Sequence, residues 1–179
     1  MIKLLILALV AGSVVILDQA TKVHIDTAFQ LHETLPIIPD FFSITYVRNP
    51  GAAFGLFAGQ SELFRSVLFS AVSIAALLLL ATMIYQTPKE DRGHLSSLSL
   101  LVGGAIGNIL DRIRLGEVID FLDFYIGRYH WPAFNVADSA ITIGVTLMMF
   151  QIFRSYRHGS SEQSSPDLQS SSSTGRRVG

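Results

Sequence analysis

Residues 66–88 read SVLFSAVSIAALLLLATMIYQTP, 23 residues without a charged side chain between Arg65 and Lys89. At about 1.5 Å of rise per residue, a helix of this length covers the roughly 30 Å hydrocarbon core of a bilayer. Three further runs can be read outward from it. The 18 residues 93–110 lie uncharged between Arg92 and Asp111. Residues 4–17 are uncharged but short, and reach spanning length only with residues 2, 3 and 18–22 in the interfaces. Residues 133–153 contain one carboxylate, Asp138, near the start of the run and therefore near an interface. These runs predict an all-α membrane protein with transmembrane helices over about 2–22, 63–87, 94–113 and 135–155, in a domain covering 1–158.

Composition agrees with a lipid solvent. Apolar residues make up 50% of the 179 residues and charged residues only 15%, against roughly a quarter charged in soluble domains. The net charge of −1 supplies no basic field for nucleic acid, and the lack of cysteine excludes disulfides, thiolate metal sites and thiol nucleophiles. The run after Lys3 also fits a secretory leader, but three spans would remain after its removal. Lys and Arg divide seven to six between the two sides of a four-span chain, so charge barely orients it. Within 23–62, residues 41–47 have the β-branched and aromatic content of a strand, which predicts a small sheet between the first two spans. The polar stretch 159–179 cannot repay the entropy of ordering and is expected to be a disordered tail.

Polar groups near span ends are costly, and they raise the first functional question. In the four-span arrangement Asp18, Lys22, Asn49, Asn108, Asp111, Arg112, Asp120, Asp123, Asn135 and Asp138 gather at one membrane face. Asp120 and Asp138 can meet there. Two carboxylates in a partly apolar site share a proton, one acting as base to water and the other as acid, which is the chemistry of aspartic peptide hydrolysis. Structural readings stand beside this one. Asn135 and Asp138 have the spacing of an N-cap and its N3 acid. Asp111 suits a local ion pair with Arg112, and Asp18 suits one with Lys22 four residues on. Gly103 and Gly107 suit close helix packing. Asp123 is expected to face water, and the five histidines show no metal-ligand spacing. Zinc and serine-elbow patterns are missing, and a Ser/Lys dyad would need Lys22 to be buried. A carrier or channel whose acids bind a cation, or a helix-packing scaffold, also accounts for intramembrane polar groups.

Five ordered blocks bear on the choice: Asp18-Gln-Ala-Thr-Lys22, Val47-Arg-Asn-Pro-Gly-Ala-Ala-Phe-Gly55, Gly103-Gly-Ala-Ile-Gly-Asn-Ile-Leu-Asp-Arg112, Gly116-Glu-Val-Ile-Asp-Phe-Leu-Asp-Phe124 and Ala133-Phe-Asn-Val-Ala-Asp-Ser-Ala-Ile141. In this order they resemble the boxes of the bacterial lipoprotein signal peptidases, signal peptidase II, over about 1–153. The resemblance implies an aspartic endopeptidase, sensitive to globomycin, that removes signal peptides from diacylglyceryl-modified prolipoproteins. Asp120 and Asp138 match the family's catalytic pair. Asp18, Asn49, Asn108, Asp111, Arg112 and Asn135 match its substrate-binding or supporting residues. It further implies no metal or other cofactor, membrane lipid as a partner, and a monomer. The expected location is the bacterial inner membrane, with cytoplasmic termini, 23–62 periplasmic and the site near the periplasmic face.

Overall fold

A computed structural model describes residues 1–51 and 59–162. The elements are α1 (Ile2–Ala28), β1 (Thr34–Ile38), β2 (Phe42–Asn49), α2 (Glu62–Gln86), α3 (Arg92–Leu115), β3 (Val118–Ile126), β4 (Tyr129–His130) and α4 (Val136–Glu162). All four helices are long and apolar enough to cross a membrane. α3 lies at the centre, packed by α1, α2 and α4, and the glycines of 103–107 let it do so. A Cβ on Gly103 would sit 2.8 Å from the Val14 side chain, and one on Gly107 would sit 2.5 Å from Asp18 Oδ2. The small-residue packing expected there is present.

The helix boundaries follow local chemistry. α1 runs six residues past the expected end at 22, because Ile25 is buried against Tyr46, Ile119 and Phe121. Beyond it, Tyr46 and Arg48 both hydrogen-bond Asp26, tying β2 to the end of α1. α3 ends at Gly116, whose left-handed backbone at φ 79° lets its N–H return to the Arg112 carbonyl. This glycine cap turns the chain directly into β3. α4 continues to Glu162, past the expected start of the polar tail at 159. The remainder of that tail, 163–179, and residues 52–58, which include the end of the second block, lie outside the described residues.

The sheet corrects the expected architecture. Its four strands are antiparallel in the order β1-β2-β3-β4, so only half of it comes from between the first two spans. The other half lies between α3 and α4, and the fold is a helical bundle with a β layer at one end rather than all-α. An isolated β1–β2 hairpin would be marginal in stability. Pairing with β3, and burial of Ile119 and Phe121 on Ile25 and Tyr46, stabilises it. In the β2–β3 register Asn49 lies opposite Val118 and Val47 opposite Asp120. Asn49 and Asp120 are therefore diagonal neighbours on one face.

Candidate active site

Each acid is held by asparagines. Asp120, in β3, accepts Asn49 Nδ2 on Oδ2 at 2.9 Å and Asn135 Nδ2 on Oδ1 at 2.7 Å. Asp138, in the first turn of α4, accepts Asn108 Nδ2 on Oδ1 at 2.8 Å and the Asn135 backbone N–H on Oδ2 at 3.3 Å. Asn135 Oδ1 in turn accepts the Asp138 N–H at 2.9 Å. The capping box expected from the spacing is thus formed. The same asparagine reaches Asp120 with its side chain, so one residue serves both the helix end and the acid pair.

Asp120 is almost wholly buried. Burial, and then the charge of Asp138, push its pKa up to about 7, against the opposing effect of the Asn49 and Asn135 amides and of Lys22. A carboxyl in that range can hold or release a proton near neutral pH.

Beneath the acids lies a buried ionic cluster. Lys22 Nζ is 2.9 Å from Asp18 Oδ2, 2.9 Å from Asp111 Oδ2 and 3.0 Å from Asn108 Oδ1. Asp18 Oδ1 accepts the Ala137 N–H at 2.9 Å, an unpaired donor at the start of α4. Asp111 Oδ2 accepts the Ile119 N–H at 3.1 Å, fixing the entry into β3. Gln19 Nε2 bridges Asp18, Asp111 and the Gly107 carbonyl.

All eight residues matched through the family resemblance lie at this end of the bundle. Two local expectations are revised. Asp111 makes no ion pair with Arg112 among the described residues; its cation is Lys22, which projects from α1 into the space between helices. Arg112 instead donates to the Asn108 carbonyl at 3.4 Å and lies 5.8 Å from the Phe69 ring centre, within the field of Asp138, Asp120 and Asp111. Asp123 does not face water: it is buried, with His130 Nδ1 3.0 Å from both its oxygens. Gln19 belongs to the site although it did not stand among the expected residues, and Lys22, expected at this face only as a local partner of Asp18, also holds Asp111 and Asn108; their signal was their place in the block that begins at Asp18. Lys22 is buried, but its neighbours are acids and an asparagine rather than the serine a Ser/Lys dyad needs. No group of three or more histidine, aspartate and glutamate side chains among the described residues could hold a metal ion.

Comparison with known proteins places this geometry in context. The profile of the family described as signal peptidase (SPase) II matches residues 10–154. The lipoprotein signal peptidase of Syntrophus aciditrophicus is 50% identical over 157 residues, covering 88% of this chain and 98% of the relative. That of Desulforapulum autotrophicum is 47% identical, covering 82% of this chain and 90% of the relative. A bacterial membrane enzyme solved by the in meso method superposes with a TM-score of 0.75 at 34% identity, covering 91% of this chain and 94% of that one.

Proposed function

This chain belongs to the signal peptidase II family, and from that premise we propose that it is an aspartic endopeptidase that removes signal peptides from diacylglyceryl-modified prolipoproteins. The observation that carries the mechanism is the asparagine framework. Asn49, Asn108 and Asn135 hold Asp120 and Asp138 at one site, and Asp120 is poised near neutral pH.

In this mechanism the acid pair holds one proton. The ionised member takes a proton from water as the water oxygen attacks the carbonyl carbon preceding the lipid-modified cysteine. The protonated member donates to the carbonyl oxygen. As the tetrahedral intermediate collapses, the C–N bond breaks, the proton taken from water passes to the departing amide nitrogen, and a hydroxyl proton of the intermediate returns to the acid that had protonated the carbonyl oxygen, restoring the singly protonated pair. The signal peptide leaves with a carboxyl end and the lipidated cysteine with an amino end. Arg112, beside the acids, is suited to steady the substrate backbone.

The substrate's lipid accounts for a site at the span ends. Diacylglyceryl chains stay in hydrocarbon and keep the scissile bond near the interface, where contacts remote from the reacting carbon are converted into orientation. The exposed apolar side chains Leu35, Ile37, Ile38 and Phe41, with Trp131, give the sheet end a surface that suits the headgroup region. The proposed setting is the bacterial inner membrane, with cytoplasmic termini and the acids at the periplasmic face.

The test is a gel-shift assay on purified protein with a prolipoprotein bearing or lacking its diacylglyceryl group. Cleavage of the lipidated form alone, inhibited by globomycin and lost in both Asp120→Asn and Asp138→Asn while each variant still inserts and folds, is the expected result. Turnover retained in either variant removes that residue from the pair. Cleavage of neither form by the folded native protein overturns the assignment.

A further inference from the structure

The acid pair accounts for Asn49, Asn108 and Asn135 but not for the lysine beneath them. Lys22 is only 1% exposed, a costly place for an ammonium unless all of its donors are used. An ammonium has three N–H donors, and the three close acceptors are Asp18 Oδ2, Asp111 Oδ2 and Asn108 Oδ1. The first two would suffice to neutralise it. The third is an amide oxygen whose other end touches Asp138.

That third contact has a consequence for the acid pair. Asn108 Oδ1 receives Lys22 at 3.0 Å and Asn135 Nδ2 at 3.2 Å, and its Nδ2 donates to Asp138 Oδ1 at 2.8 Å. A flipped amide would set its NH2 against the ammonium and its oxygen against the carboxylate, repulsive at both ends. Lys22 therefore fixes which way Asn108 faces. It also places a positive charge one residue away from the acids.

We propose that Lys22 is a positioning residue for the acid pair: its ammonium, anchored on Asp18 and Asp111, holds the Asn108 amide donor on Asp138 and favours a single negative charge on the pair. This rests on the aspartic reading above and deepens it. The charged groups facing the pair are Asp18 and Lys22 from α1 and Asp111 and Arg112 from α3, with Asp120 and Asp138 contributed by β3 and α4. The effect of Lys22 on Asp120 is to oppose protonation.

The test uses the full chain in detergent, with Lys22→Met, Asp111→Asn and the double variant Lys22→Met/Asp111→Asn. Two quantities are followed against pH: the infrared band of the protonated Asp120 carboxyl, identified by its loss in Asp120→Asn, and kcat/KM on a lipidated substrate. In Lys22→Met the Asp120 titration is expected to move up by about one pH unit, the direction that loss of a nearby cation dictates, and the acidic limb of kcat/KM moves with it. The double variant removes one charge of each sign. It is expected to titrate near the native value yet remain about tenfold or more below Asp111→Asn in kcat, because Asn108 has lost its clamp.

A folded Lys22→Met protein with native titration overturns the electrostatic half, and a double variant equal to Asp111→Asn in kcat overturns the positioning half. If Lys22→Met does not fold, the double variant decides. If the native protein cleaves nothing, the peptidase reading fails, and the infrared titration still tests Lys22.

Discussion

At the sheet end of the bundle, Asp18, Lys22, Asn108, Asp111 and Asn135 interlock through bonds of 2.7 to 3.2 Å that join α1, α3, β3 and α4. At the other end the contacts are apolar and looser. Leu80, Leu98 and Leu101 bind α2 to α3, while α1 and α2 leave between them a cavity of about 530 Å³ lined by Leu4, Leu7, Leu77 and Ala81. The difference follows from the solvent. Lipid tails are as apolar as leucine, so apolar helix contacts gain only packing, whereas buried polar groups pair wherever geometry allows. One end can be loose at little cost; the end that carries the two acids is fixed by directional bonds.

Substitutions can break this comparison. The largest expected effect is the loss of all turnover in Asp120→Asn and Asp138→Asn described above. In stability, Asp111→Leu strips acceptors from Lys22, Gln19 and the Ile119 N–H and is expected to cost about 3–5 kcal/mol. Leu98→Ala, at a fully buried apolar position, is expected to cost about 1–2 kcal/mol, below the range of water-soluble cores, because hydrocarbon surrounds the separated helices too. Reversible unfolding in mixed micelles measures both, and the reverse ranking would refute the comparison.

A glycine pair gives a smaller contrast. A Cβ on Gly104 would clash with the Ala137 carbonyl, whereas one on Gly12 meets nothing within 4 Å. Gly104→Ala is expected to destabilise by about 1–3 kcal/mol and Gly12→Ala to stabilise by up to about 1 kcal/mol. Equal melting temperatures would mean that α3 and α4 are not in this close register.

The pH dependence of stability sharpens the picture of Asp120. Its carboxyl is raised from 3.8 to about 7 in the folded chain, so between those values the native state keeps a proton that the unfolded chain has released. Its stabilising contribution is complete below about 3.8 and is lost as pH rises through 7. The melting temperature of Asp120→Asn relative to the native protein should therefore rise from pH 4 to 7 and then level. A flat difference would show an unperturbed carboxyl. The smallest effect is expected at the loose end, where Lys3 Nζ donates to the Ile84 and Tyr85 carbonyls at the end of α2. Lys3→Gln should cost about 0.3–1 kcal/mol, and a larger loss would mean that this end is less permissive than its packing indicates.

Much of this architecture was legible in the chain. The expected bounds 63–87 and 94–113 lie within two residues of those of α2 and α3, and the gathering of Asp18, Asn108, Asp111, Asn135 and Asp138 at one end followed from four alternating spans. The contribution of β3 was not legible, because its pairing with β2 joins segments far apart in the chain, and local strand content does not specify a distant partner. The pairing of Asp111 was equally hidden: the adjacent Arg112 is the obvious cation along the chain, yet Lys22, 89 positions earlier, takes that place.

The apolar runs that suit lipid, and the acids near their ends, can be read from the chain alone, because transfer between water and hydrocarbon is a property of each local stretch. Which charge is buried against which, that Asn135 serves both acids, and that Lys22 faces Asn108 emerge only from the packed fold. Hydrogen bonds and ion pairs are relations between positions far apart in the chain, directional to a fraction of an ångström, and they exist only once the helices and the sheet have set their distances.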